Sequence, residues 1–237
     1  MLTRRQLLVR AGVVPAVAGA AVTAAASPAE AVRYPIIISD STPRTYGPVM
    51  FIGDSTSSLR YRTMKREIAA YGIGPFRLDL QPGRSLARTR RGRPSAIDAV
   101  RMARAASFDP EVYVVALGYP DILGWEGNPK PARTVEAIRQ LIIPLLTEIG
   151  TDRLVAIFNL YSVRRTRSTV FNAALASLVP EWPNLHIVDW ASLARRNRHW
   201  HARDGYHYGY IGAKQRTNFI GRTLRDMVTL RRTLTAG

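Results

Sequence analysis

Residues 49–59 read VMFIGDSTSSL. Four apolar residues, Val49 to Ile52, run straight into Gly53-Asp54-Ser55 and then into a polar stretch of helix-opening residues. A short apolar run closed by glycine has the length and composition of a strand covered on both faces. Such a strand, followed by a turn into a helix, leaves Ser55 where the first backbone N–H groups of the helix point outward. Taken alone, the stretch also has a purely structural explanation, in which Asp54 or Ser55 does no more than cap the helix.

Outward from this point, apolar runs of strand length alternate with longer segments of helical periodicity. After 49–52 the pattern predicts strands over 76–80, 112–117, 154–160 and 185–189. Helices are expected over 57–71, 95–106, 131–149 with a kink at Pro144, 168–179 and 210–232. Alternating units of this size fold as a parallel sheet with right-handed crossovers and helices on both faces. The expectation is a three-layer α/β/α sandwich with a five-stranded parallel sheet, flavodoxin-like in its winding. In such sheets, functional groups collect beyond the carboxyl ends of the strands.

A chain of 237 residues that is 46% hydrophobic has enough apolar material for one well-covered domain. Its first residues, MLTRRQLLVRAG, place Arg4 and Arg5 ahead of a weakly apolar Ala/Gly-rich run containing Pro15. This reads as an export leader of the twin-arginine type over residues 1–31, with Ala29-Glu30-Ala31 as a small-x-small cleavage pattern and a domain over 32–237. The run is shorter than the roughly 20 residues that a bilayer needs, so no permanent membrane span is expected. There is no cysteine, which excludes disulfides, thiolate metal sites and a lipid-modified cysteine anchor. Net charge is +17, and with Arg4, Arg5 and Arg10 against Glu30 in the leader about +15 remains on the rest. The arginines are scattered and not interleaved with aromatics, and no nucleic-acid motif accompanies them, so nucleic acid is not the expected partner. Anionic envelope polymers or lipid headgroups fit an exported basic chain better, and a merely soluble basic surface stays open.

A second stretch, ARDGYHYGYIGAKQRTNFI at 202–220, places Asp204 and His207 three apart in a glycine-containing loop ahead of a helix. A serine nucleophile needs a base to take its proton and a carboxylate to hold that imidazole in the right tautomer. An isolated D-x-x-H is more often a surface turn. Together with GDS after the first strand, LQPGRS around Gly83 and LGYPDIL at 117–123, however, the chain resembles the SGNH, or GDSL-type, hydrolase family in four blocks over residues 48–220.

The resemblance implies a serine esterase in which Ser55 is the nucleophile, His207 the base and Asp204 its orienting partner. It further implies an oxyanion hole drawn from the N–H groups of Ser55 and Gly83, with no cofactor and no metal. Where the family has G-x-N-D, this chain has Gly118-Tyr119-Pro120-Asp121. Proline carries neither a side-chain amide nor an N–H, so the third donor is missing. Asn128 or Asn159 could take its place, although Asn159, at the end of the fourth strand, reads more simply as a structural loop asparagine.

Other candidates have simpler readings. His199 and His201 with His207 resemble a metal trio, but Arg195, Arg196, Arg198 and Arg203 around them would repel a cation. His186, inside the fifth strand, reads as a packing residue. Trp125, Tyr119 and Tyr161 could line an acyl or sugar pocket or belong to the core. The expected function is that of an exported monomeric esterase acting on an ester, such as an O-acyl group of an envelope glycan or lipid. Acyl transfer through the same intermediate is one alternative. Another is a catalytically weak or inactive relative that binds anionic envelope polymer.

Overall fold

The computed structural model describes residues 34–123, 130–163 and 167–236. The leader expected over 1–31, Trp125 and Asn128 therefore lie outside the described residues. The sheet has six strands in the order β1-β3-β2-β4-β5-β6: β1 (Ile36–Asp40), β2 (Val49–Gly53), β3 (Phe76–Leu80), β4 (Val112–Ala116), β5 (Leu154–Phe158) and β6 (Leu185–Val188). Strands β2 to β6 pair in parallel in the winding expected of a flavodoxin-like sheet, with Phe51 opposite Leu78 on one side and Val114 on the other.

The expected five-stranded sheet is corrected by β1, which adds to β3 antiparallel with Ile38 opposite Leu78. An edge strand is covered on one face only. Ile36 and Ile38 turn toward the core while Ile37 stays 42% exposed, and the apolar run Ile36–Ile38 is only three residues long before Ser39 and Asp40. Every residue of β2, β4 and β5 is buried, which is why those three read so clearly as apolar runs.

The helices form the two outer layers. Helices α3 (Ala96–Ala105), α5 (Val135–Ile149) and α6 (Arg167–Leu178) cover the face presenting Met50, Ile52, Val115 and Ile157. Helices α2 (Tyr61–Ala69), α7 (Trp190–Arg196) and α8 (Tyr210–Thr235) cover the opposite face, against Phe51, Leu78, Val114 and Phe158. Two single turns, α1 (Ser55–Ser58) and α4 (Tyr119–Ile122), follow β2 and β4 directly.

The helix expected over 57–71 is broken at Leu59 and Arg60. Ser58 Oγ donates to the Ser55 carbonyl and Thr63 Oγ1 to the Arg60 carbonyl, so local hydroxyl bonds compete with the helix ladder at the break. Helix α3 is closed by a capping box between Ser95 and Asp98. Helix α5 starts at Val135, capped by Thr134, and runs through Pro144 to Ile149. The fifth predicted strand ends at Val188, because Asp189 turns to cap α7 by accepting from the Ser192 N–H at 3.1 Å. Among the described residues no helix is long and apolar enough to cross a membrane.

Candidate active site

The carboxyl ends of β2, β3, β4 and β5 all open onto one end of the sheet, and the loops from β2, β3 and β4 bring the block residues there. Asp54 is fully buried and caps α1, accepting from the Thr56 N–H at 2.8 Å and from the Thr56 hydroxyl at 2.7 Å. Because Asp54 takes the capping task, the Ser55 side chain is left free of it. Ser55 Oγ lies 2.7 Å from His207 Nε2, across 152 residues of chain.

His207 is held by a short loop that folds back on itself. Asp204 Oδ1 accepts from the N–H groups of Tyr206 at 3.0 Å and His207 at 2.9 Å, and Asp204 Oδ2 lies 2.7 Å from His207 Nδ1. The Ala202 N–H donates to the His207 carbonyl, and the Val163 N–H to the Gly205 carbonyl, tying this loop to the end of β5. Partial burial pushes the Asp204 carboxyl up, but the two backbone N–H groups and the imidazole outweigh it and hold the group below the usual carboxylate range. An ionised Asp204 keeps the proton of His207 on Nδ1, which turns the Nε2 lone pair toward the Ser55 hydroxyl. The arrangement can take a proton from Ser55 as its oxygen attacks a carbonyl, and return it to a leaving group.

The loop after β3 is built around buried charge. Arg84 and Asp79 are both fully buried and paired, with Arg84 Nη2 donating to Asp79 Oδ1 at 2.6 Å. Between them in sequence, Gly83 adopts φ 70°, a left-handed conformation that glycine takes without strain. The N–H of Ser55, first in α1, has no partner within its own helix.

The β3 loop is fastened to α4 through Asp121, which accepts from the Ser85 hydroxyl and, at 3.1 Å, from the Leu86 N–H. Burial pushes the Asp121 carboxyl up to about 6 in spite of those bonds. Gly118 has φ 129°, and a Cβ built there would come within 2.5 Å of the Phe171 ring, so the chain can turn into α4 at this point only with glycine. Pro120 lies within that turn and adds no donor.

Asn159, the expected alternative donor, has its side-chain amide engaged elsewhere. Its Nδ2 donates to Asp189 at 2.8 Å and its Oδ1 accepts from the Ala191 N–H at 2.6 Å, so the side chain joins the end of β5 to α7. Tyr119 is 2% exposed and belongs to the core, its hydroxyl donating to the Tyr161 carbonyl. Tyr161 is half-buried, with the Arg195 guanidinium 5.9 Å from its ring centroid. The ring of His201 packs 4.9 Å from that of Tyr208 and 5.5 Å from that of Tyr161, and burial lowers its pKa. Among the described residues no three His, Asp or Glu side chains are grouped to hold a metal ion.

One residue beneath the site is not legible as such in the sequence. Arg216 of α8 is 1% exposed, and its guanidinium sits 5.3, 4.9 and 5.3 Å from the ring centroids of Phe158, Trp190 and Tyr208. Its Nε donates to Ser57 Oγ at 3.3 Å, which links α8 to the turn that carries Ser55.

No family model and no curated protein matches the chain. Solved structures do. The C-terminal catalytic domain of Streptococcus pneumoniae peptidoglycan O-acetyltransferase A aligns with a TM-score of 0.56 at 15% identity, over 79% of this chain and 96% of that one. A carbohydrate esterase of family 3 from Talaromyces cellulolyticus aligns at 0.54 and 16% identity, over 76% and 97%. A member of the lipolytic G-D-S-L family from Veillonella parvula aligns at 0.53 and 14% identity, over 74% and 95%.

Proposed function

We propose that this chain, which has the fold of the SGNH hydrolases, is a serine acyl hydrolase that cleaves an ester through Ser55, His207 and Asp204. The observation that carries the reading is the unbroken line from Ser55 Oγ to His207 Nε2 and from His207 Nδ1 to Asp204, each contact 2.7 Å. In the proposed reaction His207 removes the Ser55 proton while Oγ attacks the ester carbonyl. The tetrahedral oxyanion is met by the N–H groups of Ser55 and Gly83, and the alcohol leaves with the proton from His207. Water then enters by the same steps to release the acid. Structural neighbours that include a peptidoglycan O-acetyltransferase and carbohydrate esterases support an O-acyl group of an envelope glycan as the substrate, with a lipid ester as the alternative, and transfer to a sugar hydroxyl would use the same acyl-enzyme. Purified protein is expected to hydrolyse nitrophenyl acetate well above the buffer rate, with an initial burst of nitrophenol close to one per chain when deacylation is the slower step. Linear release at the buffer rate would sink the reading.

Pro120 favours a second reading, a non-catalytic relative that holds anionic envelope polymer with its arginines. Removal of one oxyanion donor costs about 10²–10³ in turnover, which slows an enzyme without silencing it. Pro120→Asn is therefore expected to raise kcat on nitrophenyl acetate by roughly tenfold or more, provided its unfolding midpoint matches the wild type. A fully active wild type that gains nothing from asparagine would mean that a third donor already exists elsewhere.

Export through the twin-arginine route belongs to the same proposal and rests on Arg4 and Arg5. Replacing both with lysine should hold the precursor inside the cell, whereas normal release of the double variant would assign the general route. On the wild type, N-terminal sequencing of released protein is expected to begin near Val32.

A further inference from the structure

We propose that the rim of the Ser55 and His207 site is a docking surface for an anionic lipid surface, so that the ester reaching Ser55 is presented by an amphiphile at that surface. The second clause rests on the hydrolase reading above; the docking surface itself does not. Among the described residues, four large apolar side chains are more than half exposed: Leu59 at 58%, Tyr210 at 71%, Ile211 at 62% and Leu234 at 59%. Three of these four flank the catalytic pair. Leu59 follows Ser55 by four residues, at the corner after α1, and Tyr210 and Ile211 follow His207 by three and four, opening α8.

The two sides belong to one rim, because the Arg60 guanidinium sits 5.1 Å from the Tyr210 ring centroid and so joins the corner to the start of α8. These side chains are not core residues displaced outward. The same elements bury other faces, with Met64 and Ile68 of α2 and Ala213, Thr217 and Ile220 of α8 buried. Large apolar side chains gathered at a site mouth mark a surface that is covered in use.

Charge selects what covers it. Lys214 lies one helical turn beyond Tyr210, Arg203 lies beside Asp204, and both are exposed. The first turn of α8 carries no acidic residue, Arg60 is paired with Glu67, and the one carboxylate beside Arg203, Asp204, is engaged with His207. Exposed aliphatic and aromatic side chains interspersed with cations are the composition of a face that inserts shallowly among anionic headgroups. A wall glycan would instead call for hydrogen-bonding groups and open aromatic faces, whereas Leu59 and Ile211 offer neither and Arg60 stacks over the ring of Tyr210.

The test is sedimentation of the full chain with vesicles of phosphatidylglycerol and phosphatidylcholine, beside vesicles of phosphatidylcholine alone. Wild type should sediment with the anionic vesicles and not the neutral ones, and should be released as salt rises to about 0.5 M, where screening shortens to a few ångströms. Tyr210→Ser/Ile211→Ser should weaken that binding by roughly tenfold or more, since two apolar side chains leave the lipid. Both positions are exposed, so an unchanged unfolding midpoint is the control, and Leu59→Ser provides a second variant on the opposite side of the rim. Absence of binding to anionic vesicles, equal binding by all variants, or retention on insoluble wall polymer in place of vesicles would each overturn the docking surface. Wild-type turnover of nitrophenyl acetate is read in parallel. Vesicle binding without turnover would uphold the surface and bring down the hydrolase reading, and turnover without vesicle binding would do the reverse.

Discussion

Ser55→Ala and His207→Ala are each expected to lower turnover of nitrophenyl acetate by about 10⁴-fold or more, to the rate of the remaining backbone donors. The two losses should not add, because the hydroxyl and the imidazole act as one unit across their 2.7 Å contact. Asp204→Asn should cost about 10⁴, since an amide can hold Nδ1 in the wrong tautomer. Its carboxylate also accepts from the N–H groups of Tyr206 and His207, so this variant alone is expected to loosen the loop as well. Unfolding midpoints within a degree or two of wild type for Ser55→Ala and His207→Ala separate lost chemistry from lost fold. Retention of more than about a tenth of the rate in either variant would contradict the proposed roles.

The largest expected effect on stability comes from Arg84→Met. The Arg84 and Asp79 side chains are both fully buried, and removal of the arginine leaves a carboxylate in the interior whose remaining ion-pair partner among the described residues is Arg77, 3.6 Å away. Breaking a buried pair from one side costs about 3–5 kcal/mol, which for a domain of this size lowers the midpoint by roughly 10 °C. Asp79→Asn/Arg84→Met should recover much of the loss, since replacing both charges removes the stranded one. The single variant should also slow ester turnover, because Arg84 anchors the turn that carries Gly83, a proposed oxyanion donor. Urea melts and turnover on the same preparations check both; a single variant as stable as the wild type would show that the pair contributes little, and a double no more stable than the single would show that the stranded carboxylate is not the cost.

What the sequence makes legible follows from how each part is covered. Strands β2, β4 and β5 are buried along their whole length, so they appear as unbroken apolar runs. The edge strand β1 has one face in water, and its apolar run is confined to Ile36–Ile38, too short to stand out as a strand. The break at Leu59 and Arg60 depends on hydroxyl bonds that periodicity does not register.

At the site, Ser55, Gly83, Asp204 and His207 stand in short motifs with glycine and a helix start beside them, and local chemistry of that kind can be read along the chain. Arg84 and Arg216 cannot. In a chain with 34 lysines and arginines, a buried guanidinium looks like any solvated one until the aromatic rings and carboxylates from distant segments close around it. Asn159 shows the same limit from the other side, since only its bonds to Asp189 and Ala191 reveal that its amide is engaged.

The proposed activation of Ser55 is tested most directly by a fluorophosphonate probe, which needs no knowledge of the natural substrate. Intact mass and peptide mapping of the full chain should find one adduct, on Ser55, absent from Ser55→Ala and slowed by about 10³-fold or more in His207→Ala. A folded chain that remains unlabelled, or that takes the probe at another residue, would contradict the account and leave the binding reading in its place.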